Sequence, residues 1–288
     1  MTTQTSRAPI SAAAAHAEPP HERIFNGEPP TFTRGPARRP IEVNDAVLQW
    51  ATGLPTTNRS IYVGWMLECC KDPDLDDAMA RAGFTDITIR HGSGKLVTHW
   101  AIETANVFVI ADGVQSPIEM RSTPERFGIA YGWRTLEGGR AQSVLKLRGC
   151  LAELLAIGYD LPLTISVKST LTDDMLGALN RQYDVLDAID AFRRADGKPP
   201  LGPPFYACSI PLCAGDEVTR GSGSQTKQIT PMRTAIPEEI TREYILAHWC
   251  KRAWAAVIEA AMDATIAWSI ATSQQIAAGE EAAAEQGA

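Results

Sequence analysis

The stretch from Ile87 to Ile102 constrains the fold more than any other part of the chain. Ile87–Arg90 and Leu96–Ile102 are β-rich runs, separated by the five residues His91-Gly92-Ser93-Gly94-Lys95. A connection this short, carrying glycine, makes a hairpin, whereas parallel strands need a crossover of about a dozen residues or more. The runs are therefore antiparallel neighbours, which argues against a doubly wound parallel sheet.

Further strand signals follow. Asn106–Ile110 is closed by Asp112-Gly113, Phe127–Trp133 reads as a fourth strand, and Leu161–Val167 and Phe205–Leu212 are also β-rich. Ser143–Ile157 reads differently. Its Val144, Leu147, Leu151, Leu154 and Leu155 recur nearer a helical period, with Gly149 as the residue that opposes a helix. Thr170 with Asp173 forms a capping signal for a helix through Leu176, Leu179, Tyr183 and Leu186, ending before Asp196-Gly197-Lys198-Pro199-Pro200. A last, Ala-rich helix starts after Pro237, runs to about Ile276 and is punctuated by Trp249, Trp254 and Trp268. Some forty residues is long for a globular helix, so one break or a projecting end is expected.

The fold class is α+β: an antiparallel sheet from about residue 60 to 230, helices packed against it, and a long C-terminal helix. An OB-like, partly closed barrel is the subsidiary form of such a sheet. Residues 1–40 contain Pro9, Pro19, Pro20, Pro29, Pro30, Pro36 and Pro40 with few aliphatics, and read as a disordered arm. The core domain then spans 41–236, the helix 237–276, and an Ala/Glu/Gly-rich flexible tail 277–288.

Of the 288 residues, 44% are hydrophobic and 21% charged, enough for a real core. The net charge of −7 argues against general affinity for polyanions but leaves room for a local basic face. Charges interrupt every apolar stretch well short of the ~20 residues that span a bilayer, so no membrane role is expected. The six cysteines, including the vicinal Cys69-Cys70 and the Cys208–Cys213 pair, follow no zinc spacing. No apolar leader precedes them, and a reduced, cytoplasmic setting is the expectation.

The chemical motifs fail on inspection. Gly92-Ser93-Gly94-Lys95 resembles a phosphate-binding loop, but Ile89 stands where its first glycine belongs and Leu96 replaces the Mg²⁺-binding hydroxyl. Asp72, Asp74, Asp76 and Asp77 suggest a calcium loop, yet its sixth position is Asp77 and its twelfth Gly83. Solvated acids opening a short helix over Leu75–Arg81 account for them. His91 and His99 are brought into one neighbourhood by the expected hairpin, with no carboxylate or nucleophile placed to complete a site. The expectation is therefore no catalytic residue, no metal and no cofactor.

Arg121–Arg148 is the most informative segment. It holds Arg121, Arg126, Arg134, Arg140, Lys146 and Arg148 against only Glu125 and Glu137, in an otherwise acidic chain. Phe127, Tyr131 and Trp133 alternate within it, which on a strand puts all three rings on one face. Rings on which bases stack, beside cations that neutralise phosphate, are what holding single-stranded nucleic acid requires. The same alternation also builds ordinary cores, and buried rings would remove the stacking platform. Arg220 and Lys227, flanking Gly221-Ser222-Gly223-Ser224, add a second phosphate-contacting segment.

Residues 61–230 resemble a family of uncharacterised proteins found mainly in cyanobacterial and other phototroph genomes. The shared order is Gly64-Trp65, Ala82-Gly83-Phe84 before a strand, Ser93-Gly94, Val107–Ile110, Leu161-Pro162-Leu163, an aromatic-bearing helix, and Phe205–Pro211 leading toward Lys227. The resemblance brings no activity or site residue with it, and implies a non-enzymatic accessory protein. Two functions are then expected. The first is binding of single-stranded nucleic acid, as an accessory factor of replication, repair or a mobile element. The alternative is an assembly subunit, forming a homo-oligomer or binding a protein partner through Trp249, Trp254 and Trp268 of the last helix.

Overall fold

The computed structural model describes residues 46–52, 62–68, 73–90, 94–111, 129–135, 141–221 and 226–286. The expected arm over residues 1–40 lies outside them. The elements are β1 (Val47–Thr52), β2 (Val63–Glu68), α1 (Pro73–Arg81), β3 (Thr85–Arg90), β4 (Leu96–Ile102), β5 (Ala105–Val109), β6 (Ile129–Thr135) and β7 (Ala141–Leu151). They continue with α2 (Ala152–Ala156), β8 (Leu163–Lys168), α3 (Leu171–Ala195), a 3-10 turn (Phe205–Ala207), β9 (Ile210–Ala214), β10 (Val218–Arg220), β11 (Lys227–Ile229), β12 (Met232–Thr234), α4 (Arg242–His248) and α5 (Arg252–Gln286). The fold is α+β, built on a large, mostly antiparallel sheet.

Ten strands share that sheet in the order β12-β9-β5-β7-β8-β1-β2-β4-β3, with β6 also paired to β7. Among the described strands, only the β1–β8 pair is parallel. β3 and β4 form the hairpin that their short connection dictates, with Arg90 opposite Leu96. β10 and β11 form a separate two-stranded ribbon.

The structure departs from the sequence reading at residues 141–157. This segment is the eleven-residue strand β7, followed by a single helical turn, α2, and not one helix. The helical period was misleading because β7 is buried on both sides. Leu145, Leu147 and Leu151 enter one core, while Val144, Arg148 and Cys150 are buried on the opposite face. Two-sided burial erases the polar–apolar alternation that marks a strand. Gly149 fits the strand, since an added Cβ would lie 2.8 Å from the Phe108 carbonyl oxygen of β5.

The sheet curls strongly. Five strand spacings separate β9 from β2, about 24 Å if the sheet were flat. Yet the Trp65 indole on β2 donates to the Leu212 carbonyl on β9 at 3.1 Å, and the Trp50 indole donates to Thr230 O at 3.0 Å. Thr230 N also donates to Thr52 O at 3.0 Å. The two rings pack edge to face, 5.3 Å apart. Side chains and one backbone bond thus bridge the gap, and the described strands do not close into an OB-like barrel by pairing.

The inner face of the curl packs against α1 and α3. Leu171, Met175, Ala178, Leu179, Val185, Leu186 and Ile189 form the buried stripe of α3, at the spacing of one helical face. Within that stripe Gln182 is fully buried and its amide donates to Phe205 O and Cys208 O, fixing the 3-10 turn against the helix. Thr170 makes no side-chain cap; the Thr172 hydroxyl instead donates to Ser169 O.

The outer face carries a second core in which Phe108, Ile110, Cys150 and Tyr206 meet Cys250, Ala255 and Ile258. Burial pushes the Cys150 thiol up to about 12, and raises Cys208 and Cys250 as well, as expected for thiols packed inside a core. The C-terminal helix is interrupted at Trp249–Lys251, where Trp249 bridges Cys208 and Cys250 N donates to Ala207 O at 2.8 Å. Those bonds hold the backbone extended, and the helix restarts as α5. It bends again by 51° between Arg252–Met262 and Ala264–Gly279. There Thr265 donates back to Ala261 O at 2.7 Å, a bond known to bend helices. Residues 277–286 continue α5 where a flexible tail was expected. No single described helix is long and apolar enough to cross a membrane.

Two tests follow from this packing. Gly149→Ala should cost about 1–3 kcal/mol, because the methyl meets backbone that cannot rotate away. A denaturant midpoint equal to wild type would contradict that close approach. The second concerns Glu153, whose Oε1 accepts from Asn106 N and Nδ2 at 3.1 and 2.8 Å. Burial raises its carboxyl pKa, with the Asn106 hydrogen bonds opposing. An acid with a raised folded pKa loses native stability as pH rises through the window from its unfolded to its folded pKa. Glu153→Gln should remove that loss, flattening stability as pH rises above the ordinary carboxylate range of about 4. Parallel pH profiles for the two proteins would contradict this.

Candidate nucleic-acid interface

The β6–β7 register decides how the Arg121–Arg148 segment is displayed. Tyr131 lies opposite Leu145 and Trp133 opposite Ser143, on the inner side of the sheet with Ile129. Lys146 lies opposite Ala130, and with Arg148 occupies the outer side. The period of two that aligns the rings therefore sends these cations to the other face. Aromatic and basic groups close in sequence are separated by the sheet.

The expected site residues accordingly part company. Tyr131 is 8% exposed and packs in the inner core, so its ring is not a stacking platform. Arg148 is 1% exposed beneath α5, its guanidinium 5.7 Å from the centre of the Trp268 ring. Lys146 is half-buried on the same face. Arg134 pairs with Gln142 at the end of β6. Arg121, Arg126, Phe127 and Arg140 lie outside the described residues.

Trp133 differs from all of these. It is 42% exposed, while the other six of the chain's seven tryptophans are buried or half-buried. Its position is set by Ser143, the first buried residue of β7. Ser143 O accepts from Ser169 N at 2.8 Å, and the Ser143 hydroxyl donates to Ser169 O at 3.1 Å. Ser169, at the junction of β8 and α3, has φ of 54°, a left-handed conformation that costs a non-glycine residue energy. Gln142 Nε2 donates to its hydroxyl at 2.9 Å, so this strained residue is held from several sides.

The ribbon completes the cluster. Arg220 donates to Thr170 O and to Asp174 Oδ1, each at 2.8 Å, tying β10 to the first turn of α3. Lys227 is the strand partner of Arg220 and is exposed. Thr230, just beyond the ribbon, is bonded to Trp50 and Thr52 at the end of β1. The ends of β1, β6 and β8 thus bring Trp133 to the same end of the sheet as the ribbon with Arg220 and Lys227, with Asp173 and Asp174 as the acids of the adjoining helix turn, while Lys168, opposite Val144, faces the outer side. Arg220 and Lys227 were legible from the sequence. Ser169 and Asp174 were not, because their local signal was only that of a strand running into a helix cap.

The three tryptophans expected as partner anchors are used within the chain. Trp249 is buried in the inner core, and Trp268 is buried beside Arg148. Trp254 packs edge to face on Phe108 at 5.8 Å, with the Lys251 ammonium 4.2 Å from its ring centre. A partner contact through α5 would have to use its outer surface instead.

No family model, curated protein or solved structure matches this chain.

The exposure of Trp133 has a direct optical consequence. Trp133→Phe should remove the largest share of acrylamide-quenchable emission and leave the unfolding midpoint nearly unchanged. Quenching equal to wild type would place the ring inside the protein.

Proposed function

We propose that the protein binds single-stranded nucleic acid at the sheet end formed by Trp133, Arg220 and Lys227. The observation that carries this reading is the exposed Trp133 ring, held by a rigid strand next to a ribbon bearing two cations. A large ring left in water forgoes the stabilisation that burial would bring. Against an unpaired base it regains that contact area by stacking, and the flanking cations meet the phosphates on either side. Duplex DNA keeps its base faces stacked, so the same surface favours single strands.

The chain's net charge of −7 supports a local and modest electrostatic term, not a broad basic channel. Binding should therefore depend on the ring as much as on salt. Such a site suits an accessory role in replication, repair or a mobile element, in which holding a strand suffices without catalysis.

Titrating a labelled oligothymidylate at low ionic strength tests the proposal. Trp133→Ala should weaken binding roughly 5- to 150-fold, the equivalent of one base stack of about 1–3 kcal/mol. Lys227→Ala should weaken it less and lower the salt slope by about 0.7, as expected for one phosphate contact on a single strand. Undetectable wild-type binding at low salt, or full affinity in a folded Trp133→Ala variant, would overturn the reading.

A further inference from the structure

We infer that Asp174 is a built-in competitor for the phosphate-binding Arg220, so that the site engages a strand only by displacing its own carboxylate. This rests on the nucleic-acid reading above and adds to it the regulation of that site. Arg220 is the cation of the cluster whose guanidinium is already engaged in the free protein. Nη2 reaches Asp174 Oδ1 and Nη1 reaches Thr170 O, both at 2.8 Å. The guanidinium therefore presents its planar fork to one carboxylate oxygen and one carbonyl oxygen. A phosphate offers the same fork two oxygens of a single group, a better geometric match.

The surroundings make the exchange feasible. Arg220 and Asp174 side chains are 28% and 19% exposed, so water and a ligand can reach the pair. Partly exposed ion pairs are individually weak and yield readily to another anion. Asp174 is also held on a rigid element. It belongs to the first turn of α3, where a carboxylate is favoured by the helix dipole whether or not Arg220 is present. Losing its partner therefore does not leave Asp174 without electrostatic support. The ribbon, for its part, stays anchored through Thr230 when Arg220 changes partner.

The neighbouring carboxylate supplies the control. Asp173 sits in the same helical turn, is exposed, and carries the same charge. Simple repulsion of the strand would make Asp173 and Asp174 equivalent, whereas competition for Arg220 singles out Asp174.

The test is a set of binding titrations with a 30-nucleotide oligothymidylate at one low salt concentration, using the full chain. Wild type, Asp174→Asn, Asp173→Asn, Arg220→Ala and the Asp174→Asn/Arg220→Ala double variant are compared, each checked for a cooperative unfolding transition. Asp174→Asn should tighten binding about three- to tenfold, because an amide holds the guanidinium less firmly than a carboxylate does. Asp173→Asn should tighten it less than twofold. Arg220→Ala should weaken binding more in the Asp174→Asn background than in wild type, which is the signature of the two residues acting on one another. Equal gains from Asp173→Asn and Asp174→Asn, or additive effects in the double variant, would overturn the competitor role while leaving the binding function intact. No binding by wild type or any variant would overturn the function itself, and the competitor role with it.

Discussion

Burial of β7 on both of its faces is the constraint on which the rest of the structure depends. A strand covered on one side only could leave the other to water. Here Leu145 and Leu147 face α3 while Val144, Arg148 and Cys150 lie on the side that α5 covers. Both edges of β7 are also used, with β8 along one and β5 and β6 sharing the other. The chain must therefore supply a helix for each face, and the long C-terminal helix is one of them. That is why its tryptophans turn inward.

The same strand governs the candidate site. β6 takes its register from β7, and through that register Trp133 lies opposite Ser143, which in turn holds Ser169 where β8 gives way to α3. Tyr131, two residues earlier, falls inside the core by the same geometry. The Arg148 guanidinium is carried to the other face, where a tryptophan ring receives it. A period of two along one pair of strands thus yields one exposed ring, one buried ring and one buried cation.

How much of this was legible in the sequence depended on whether the signal was local. The β3–β4 hairpin follows from the length of its connection, and the apolar spacing of α3 gives that helix almost to its ends. β7 was not legible as a strand, since residues buried on both sides carry no alternation, and Gly149 meant close backbone approach where it read as a weak point in a helix. The curl of the sheet was also hidden. It depends on Trp50 and Trp65 reaching partners 180 and 147 residues away. The alternation of Tyr131 and Trp133 implied the shared face that the β6–β7 register gives them, but which ring meets solvent is decided by where β6 ends relative to α3. The junction residues Ser169 and Asp174 gain significance only once the ribbon is folded against the start of α3.

Photocrosslinking tests the central claim most directly. A bromodeoxyuridine-substituted oligonucleotide would be irradiated with the protein, and the attached peptides mapped. The account predicts attachment at the end of β6 around Trp133 and along the β10–β11 ribbon, within residues 129–135 and 218–229. Crosslinks concentrated on α5 or on the β3–β4 hairpin, with none at Trp133 or the ribbon, would contradict it.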